Sequence, residues 1–411
     1  MRIKDVFTPR SAEVNENMYV KRPAYEKKLL MELDSGMHLL LFGESGNGKS
    51  WLYKHVFNKN KIPYIIINGA NASRFNSITN GIYDSVIKYG TAIKTSFEEE
   101  KKAEISALLA KAEVNHNGHF EIKQNEPLLE SFIVFSSLHD TENHVMVIDN
   151  LEFITSSPKL LDELSDIIIL LDDPVYAQYN ITFLIVGLPF DILEYFSTIK
   201  NVESVANRLI ELPKVQSLLP EQVSTIVYTG FRHYLGYSIT DTHLDFIAKE
   251  IYSITMGIAQ KVQDFCRLLA TEIDENNYKF EIKLLESAEK SWLFGALRKS
   301  YKIMELNLDG TRAKIGRKNQ VIFIIGRLTS HQFDVKKIEN EIKVNFPKTS
   351  SDNHMGIKGI LTTLSSGDNK ILTHNEKTGE YSLIDPRYAM CIRVSLYKNN
   401  EKIIKKQFTR T

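Results

Sequence analysis

The chain has 411 residues, 43% hydrophobic and 25% charged, with 51 basic against 51 acidic side chains. This is the composition of a globular protein long enough for two or three domains, and no run of about 18 apolar residues or secretory leader is present, so a cytosolic protein without membrane contact is expected. Cys266 and Cys391 are the only cysteines, with no CxxC pair, which excludes a disulfide framework and a zinc site and predicts two buried, reduced thiols.

Five short apolar runs punctuate the first half: "MHLLLFG" (37–43), "KIPYIIING" (61–69), "HVMVIDN" (144–150), "ITFLIVG" (181–187) and "LIELPKV" (209–215). They are apolar on both faces and separated by helical stretches, the pattern of a parallel sheet covered by helices. Pro213 in the fifth run places it at a sheet edge or a strand end. Between the second and third runs, "FEEEKKAEISALLAKAEV" (97–114) carries Ile105, Leu108 and Leu109 on an otherwise charged face and predicts a solvated surface helix.

Directly after the first run stands "GESGNGKS", Gly43, Glu44, Ser45, Gly46, Asn47, Gly48, Lys49 and Ser50, followed by Trp51 and a helical pattern. It matches G-x-x-x-x-G-K-[ST], whose backbone N–H groups cradle phosphates. Strand, loop and helix in that order predict ATP or ADP binding. Lys49 would reach the β and γ phosphates, while the Ser50 hydroxyl and Asp149, at the end of "VMVID", would hold Mg²⁺. Hydrolysis needs a further carboxylate to orient or deprotonate water. The residue after Asp149 is Asn150, which can hold a water by hydrogen bonds but cannot take its proton. Glu152 is either a substitute base or a surface carboxylate opening the next helix. Slow turnover is the expected consequence.

From 218 to about 285 the pattern is helical, opened by Pro220 and Glu221, and predicts a small helical lid. A basic loop, "GTRAKIGRKN" (310–319), then leads into "QVIFIIGRL", "DVKKIENEIKVNF" and "MGIKGILTTLSS". A hairpin around "NEKTGE" follows; three helices and a hairpin describe a winged helix. Residues 291–411 hold 22 Lys and Arg against 11 Asp and Glu, so a net charge of +11 in the tail balances −11 in the front. Such a split marks a tail that meets an anionic partner or presents a solvated basic face. The third helix presents His354, Lys358, Thr362 and Thr363 outward, with no Arg for a bidentate guanine contact. Positive charge gathers in Arg312, Lys314, Arg317 and Lys318 and in Lys402, Lys405 and Lys406, an arrangement for phosphates rather than bases. The same helix can instead serve as a protein-docking surface.

"YVKRPAYEKKLL", "GESGNGKS", "VMVIDNLEFI", "FLIVGLP" and "NRLIELPKV" with "LLPEQ", in this order, resemble the initiator branch of AAA+ ATPases, the origin-recognition and Cdc6-type proteins, which merges with bacterial STAND ATPases. The resemblance implies an α/β fold: a P-loop AAA+ parallel sheet (1–215), a helical lid (216–290) and a C-terminal winged-helix domain (291–411). It places Val20 and Arg22 against adenine, Gly187 at the sensor-1 strand end and Arg208 at the arginine finger, which serves a neighbour's nucleotide or closes on its own. A surface Arg capping a helix is the plainer reading of Arg208. Gln260 occupies the sensor-2 place where an Arg is expected, with Lys261 or Arg267 able to supply charge only from a rotated helix. Asn150, Gly187 and Gln260 all weaken hydrolysis and leave binding intact, so the nucleotide reads as a switch. Its expected partners are DNA, a neighbouring subunit or a protein effector; among STAND-like relatives the effector belongs to anti-phage defence.

Overall fold

The structure is a computed structural model that describes residues 1–94, 106–107, 126–141, 143–187, 202–309, 316–350 and 355–406. The chain divides into two compact units, residues 11–217 and residues 1–10 with 218–411.

The first unit is a five-stranded parallel sheet. Its strands are β1 (His38–Phe42), β2 (Tyr64–Asn68), β3 (His144–Asp149), β4 (Ile181–Gly187) and β5 (Leu209–Glu211), in the order β2-β3-β4-β1-β5. Alternate strand residues feed two apolar layers. Leu39, Leu41, Val145, Val147, Leu184 and Val186 pack under α1 (Pro23–Leu33) and α2 (Lys49–Asn60), which contribute Leu29, Leu33, Leu52 and Phe57. Leu40, Ile65, Ile67, Met146, Ile148 and Ile185 face the other way, toward α3 (Gly69–Phe75), α4 (Ile78–Lys94), α5 (Pro127–Ser137), α6 (Glu152–Thr155) and α7 (Pro158–Leu170). Burial on both faces is why these strands lack a polar alternation. All five runs read from the sequence become strands, and β5 lies at the edge and stops two residues before Pro213. Most of the 97–114 segment falls outside the described residues.

Because the sheet is parallel, all five strands deliver their C-terminal ends to one rim. There the ends of β2 and β3 meet, Asn68 opposite Asp149. Gly69 opens α3 so close to that rim that a Cβ on it would lie 2.4 Å from the Asn150 carbonyl oxygen.

The second unit begins with α8 (Pro220–Val227), α9 (Asp241–Thr255), α10 (Ala259–Glu275), α11 (Ile282–Phe294) and α12 (Arg298–Leu306). Pro220 occupies the first turn of α8, as its sequence predicts. The core is set by Trp292, fully buried and 5.3 Å edge-on from Phe265. The first ten residues belong here too: Phe7 packs on Phe231 at 5.3 Å, and Gln263 accepts the Thr8 N–H at 2.9 Å. Next come α13 (Arg317–Ile325), β6 (Gln332–Phe333), α14 (Val335–Asn345), α15 (Ile357–Leu364), β7 (Leu372–Asn375) and β8 (Glu380–Leu383). The strands form an antiparallel sheet in the order β6-β8-β7.

The chain then adds elements that the hairpin reading of the terminal segment did not contain. These are α16 (Pro386–Ser395) and a second hairpin, β9 (Leu396–Asn399) with β10 (Lys402–Lys405). Asp385 caps the backbone N–H of Arg387 and Pro386 fixes the first turn, so the segment after "YSLI" starts as a helix. Both cysteines are buried, and burial pushes the Cys391 thiol up to about 12.

Replacing Gly69 by Ala should force β2 and β3 apart at the rim. A loss of about 1–3 kcal/mol is expected in urea unfolding of the chain.

Candidate nucleotide site

The loop Gly43–Ser50 turns from β1 into α2 at that rim. Gly46 and Gly48 hold φ of 84° and 88°, left-handed values that let consecutive N–H groups turn inward into an anion-binding nest. The loop is fastened from beneath. Gly43 bridges to Val215, whose N–H bonds the Phe42 carbonyl at 2.8 Å. The buried Asn47 amide donates to the Val215 carbonyl at 3.1 Å and accepts the Ser217 hydroxyl at 3.3 Å. Glu44 pairs with Lys214 at 3.2 Å, and Ser45 stands exposed at the loop tip. The Lys49 ammonium donates to the carbonyls of Gly43 (2.7 Å) and Glu44 (3.2 Å), so it lies folded across the loop. Burial lowers its pKa, and the charges of Asp149, Glu152 and Glu44 act in the opposite direction.

Asp149 ends β3 opposite the loop. Its Oδ1 accepts the Asn150 backbone N–H at 2.8 Å, and its Oδ2 accepts the hydroxyls of Ser50 and Tyr53, both at 3.3 Å. Ser50 and Asp149 are hard oxygen donors side by side, a set that fits Mg²⁺, which takes one or two protein oxygens and completes its shell with phosphate and water. Among the described residues no group of three or more His, Cys, Asp or Glu could hold a metal by itself. Tyr53 was not singled out by sequence, although its spacing of three from Ser50 puts both on one face of α2. Asn150 has φ 62°, a left-handed conformation that Asn tolerates and Glu does not favour. Glu152 opens α6, exposed, and its charge acts on Lys49.

The segment before α1 lies along α2. Trp51 donates to the Ser11 carbonyl at 3.4 Å, Lys54 donates to Ala12 at 2.6 Å, His55 bonds Glu16 at 2.7 Å, and Tyr19 stacks on His55 at 4.0 Å. Val20 follows, half-buried, and Arg22 is buried with its guanidinium on the Gln216 carbonyl at 3.0 Å.

Residues 33–196 match the family model described as an AAA domain. The segment has the P-loop AAA+ fold. The whole chain is similar in fold to a Walker-type ATPase of Pyrococcus abyssi, at 14% identity over 91% of this chain and 96% of that one, with a TM-score of 0.49. It is also similar to the Orc1 protein of Aeropyrum pernix, solved in complex with DNA (14% identity, 96% of each chain, TM-score 0.47). Cdc6p of Pyrobaculum aerophilum is another such structure, 15% identical over 95% of this chain and 97% of that one, with a TM-score of 0.45. No curated protein matches the sequence.

Within the AAA domain, Gly187 ends β4 beside Phe42, buried and without a polar side chain. Arg208 precedes β5 at the opposite end of the sheet. Its carbonyl accepts the N–H of His38, the first residue of β1, whereas the phosphate loop follows the last. Five residues of strand span about 15 Å. Its guanidinium bonds Asp172 and the Ser204 carbonyl, both at 2.6 Å. Closing on the chain's own nucleotide does not fit that position. Gln260 lies in the first turn of α10, in the other unit, where Lys261 pairs with Asp264 at 3.6 Å and Arg267 is exposed.

Of the basic residues assigned to phosphates, Arg312 and Lys314 lie outside the described residues, as does His354. Arg317 is engaged by Gln320 (2.8 Å) and the Thr349 carbonyl, Lys405 by Glu305, and Lys406 by the buried Glu289 (2.9 Å). Lys318 is half-buried, while Lys402 is exposed. On α15, Lys358, Thr362 and Thr363 face outward and Ile357, Leu361 and Leu364 inward.

The backbone at Asn150 gives a direct test. Asn150→Gly should leave stability unchanged, whereas Asn150→Glu should cost about 1–2 kcal/mol by denaturant unfolding.

Proposed function

We propose that this chain is an initiator-like AAA+ switch that binds ATP with Mg²⁺, hydrolyses it slowly and uses the nucleotide state to control engagement of DNA through a C-terminal winged helix. The observation that carries the reading is the contrast at one rim: a phosphate loop with its lysine and a hydroxyl–carboxylate pair, beside a left-handed Asn150 where a catalytic carboxylate would stand. Binding groups are complete; the proton acceptor is not. Magnesium would contribute charge neutralisation at the phosphates, Lys49 a second positive charge, and the loop N–H groups hydrogen bonds. Glu152 is then the side chain able to take a proton from water, from a helix start beside the site rather than from the strand end. Arg208, far from its own loop, would serve a neighbouring subunit once released from Asp172.

Calorimetry and single-turnover kinetics test this. Lys49→Ala should abolish ATP binding, and Glu152→Gln should slow hydrolysis by about 100-fold with binding retained. Unchanged hydrolysis in Glu152→Gln would return that residue to the solvent-exposed surface.

The DNA reading rests on lysines left exposed around the three-helix segment: Lys336, Lys343, Lys348, Lys358, Lys370, Lys377 and Lys402. They are point charges suited to phosphate, without the planar fork that reads guanine. Duplex affinity should therefore fall steeply with salt and depend little on sequence, and replacing the exposed Lys336, Lys343, Lys358 and Lys402 together should flatten the salt slope by about 3 to 4 units. The internal engagement of Arg317, Lys405 and Lys406 favours a second reading, a winged helix that docks a protein effector. No duplex binding at about 50 mM salt, where phosphate contacts are strong, would decide for the effector.

A further inference from the structure

Tyr53 has no part in the phosphate-loop motif, yet its hydroxyl ends on the same carboxylate oxygen as the motif's own serine. The side chain is fully buried, with its ring 5.9 Å from Phe57 and edge-on to Tyr64 of β2 at 6.2 Å. Phenylalanine would fill that space without the cost of burying a hydroxyl, which is recovered only when the hydroxyl finds a partner. Its partner is Asp149 Oδ2. The carboxylate oxygen can only accept, so the phenol is the donor of this bond.

An ionised carboxylate offers about four acceptor positions. Three are filled from within the chain, by the Asn150 N–H on Oδ1 and by Ser50 and Tyr53 on Oδ2. The backbone N–H comes from the neighbouring residue and leaves the carboxylate free to rotate with its own strand end. The two hydroxyls come from α2, so they tie it to the helix that carries the phosphate loop. If Ser50 turns its oxygen toward a metal, Tyr53 is the donor from α2 that has no other ligand to serve.

We propose that Tyr53 is a positioning residue, whose phenol holds Asp149 in the orientation that a magnesium-bound nucleotide requires. The inference rests on the nucleotide-binding reading above and adds a role that lies outside the phosphate-loop and strand-end motifs. It predicts a defect confined to the metal-dependent part of binding.

The test is calorimetry of the full chain with the β,γ-imido analogue of ATP, in magnesium and in EDTA. In Tyr53→Phe, affinity in EDTA should match the unaltered chain, and the gain on adding magnesium should shrink about five- to tenfold. In an Asp149→Asn background, Tyr53→Phe should have no further effect on that gain. A full magnesium gain in Tyr53→Phe, an equal loss with and without metal, or an undiminished Tyr53 effect in the Asp149→Asn background would each overturn the proposal. Thermal unfolding of the variants in EDTA separates a packing defect, which would lower affinity equally in both buffers. If the unaltered chain binds no analogue in either buffer, the nucleotide reading itself fails instead.

Discussion

Asp149 is where the AAA domain is tied together. A carboxylate at the end of a central strand of a parallel sheet sits among aligned strand ends, and leaving it without donors would cost several kcal/mol. Here three donors meet it, one from its own backbone and two from the helix that follows the phosphate loop. The geometry of the loop is thereby referred to β3, and β3 is referred to β2 by the close approach of Gly69 to Asn150. Loop, strand-end carboxylate and the turn after it thus form one connected object, in which Val215 closes the far side by bonding both Phe42 and Asn47.

The same constraint explains what stands at position 150. A turn that enters the left-handed region directly after Asp149 selects residues whose short polar side chain tolerates it, and Asn does. The residue that follows the strand-end carboxylate is thus selected by backbone conformation as much as by side-chain identity. Glu152, two residues on, opens a short helix and is exposed to solvent.

Charge is spent differently at the two ends of the chain. In the first unit, buried Arg22 and half-buried Lys49 give their hydrogen bonds to backbone carbonyls. In the C-terminal unit, two of the tail lysines pair with Glu305 and Glu289, and Arg393 donates to the carbonyls of Gly326 and Ser253. A formal excess of +11 therefore overstates what the surface can offer, because a cation fixed by an internal acceptor must break that contact before it meets a phosphate.

The sequence by itself determined the five strands, the phosphate loop with Lys49 and Ser50, the placing of Asp149 at a strand end, and the three helices and first hairpin of the tail. These are local: each follows from a run of apolar residues, a glycine spacing or a cap, and each is unaffected by what lies far along the chain. The terminal helix α16 went unassigned, although Asp385 and Pro386 carry a helix start signal. Contacts between distant segments were decided only in three dimensions. Tyr53 meets Asp149 across 96 residues, Asn47 meets Val215 across 168, and Arg208 turns to Asp172 rather than to its own loop. The parallel order β2-β3-β4-β1-β5 is the reason. It sends every strand's C-terminal end to one rim and every N-terminal end to the other, and nothing in the spacing of residues along the chain states which rim a given side chain will reach.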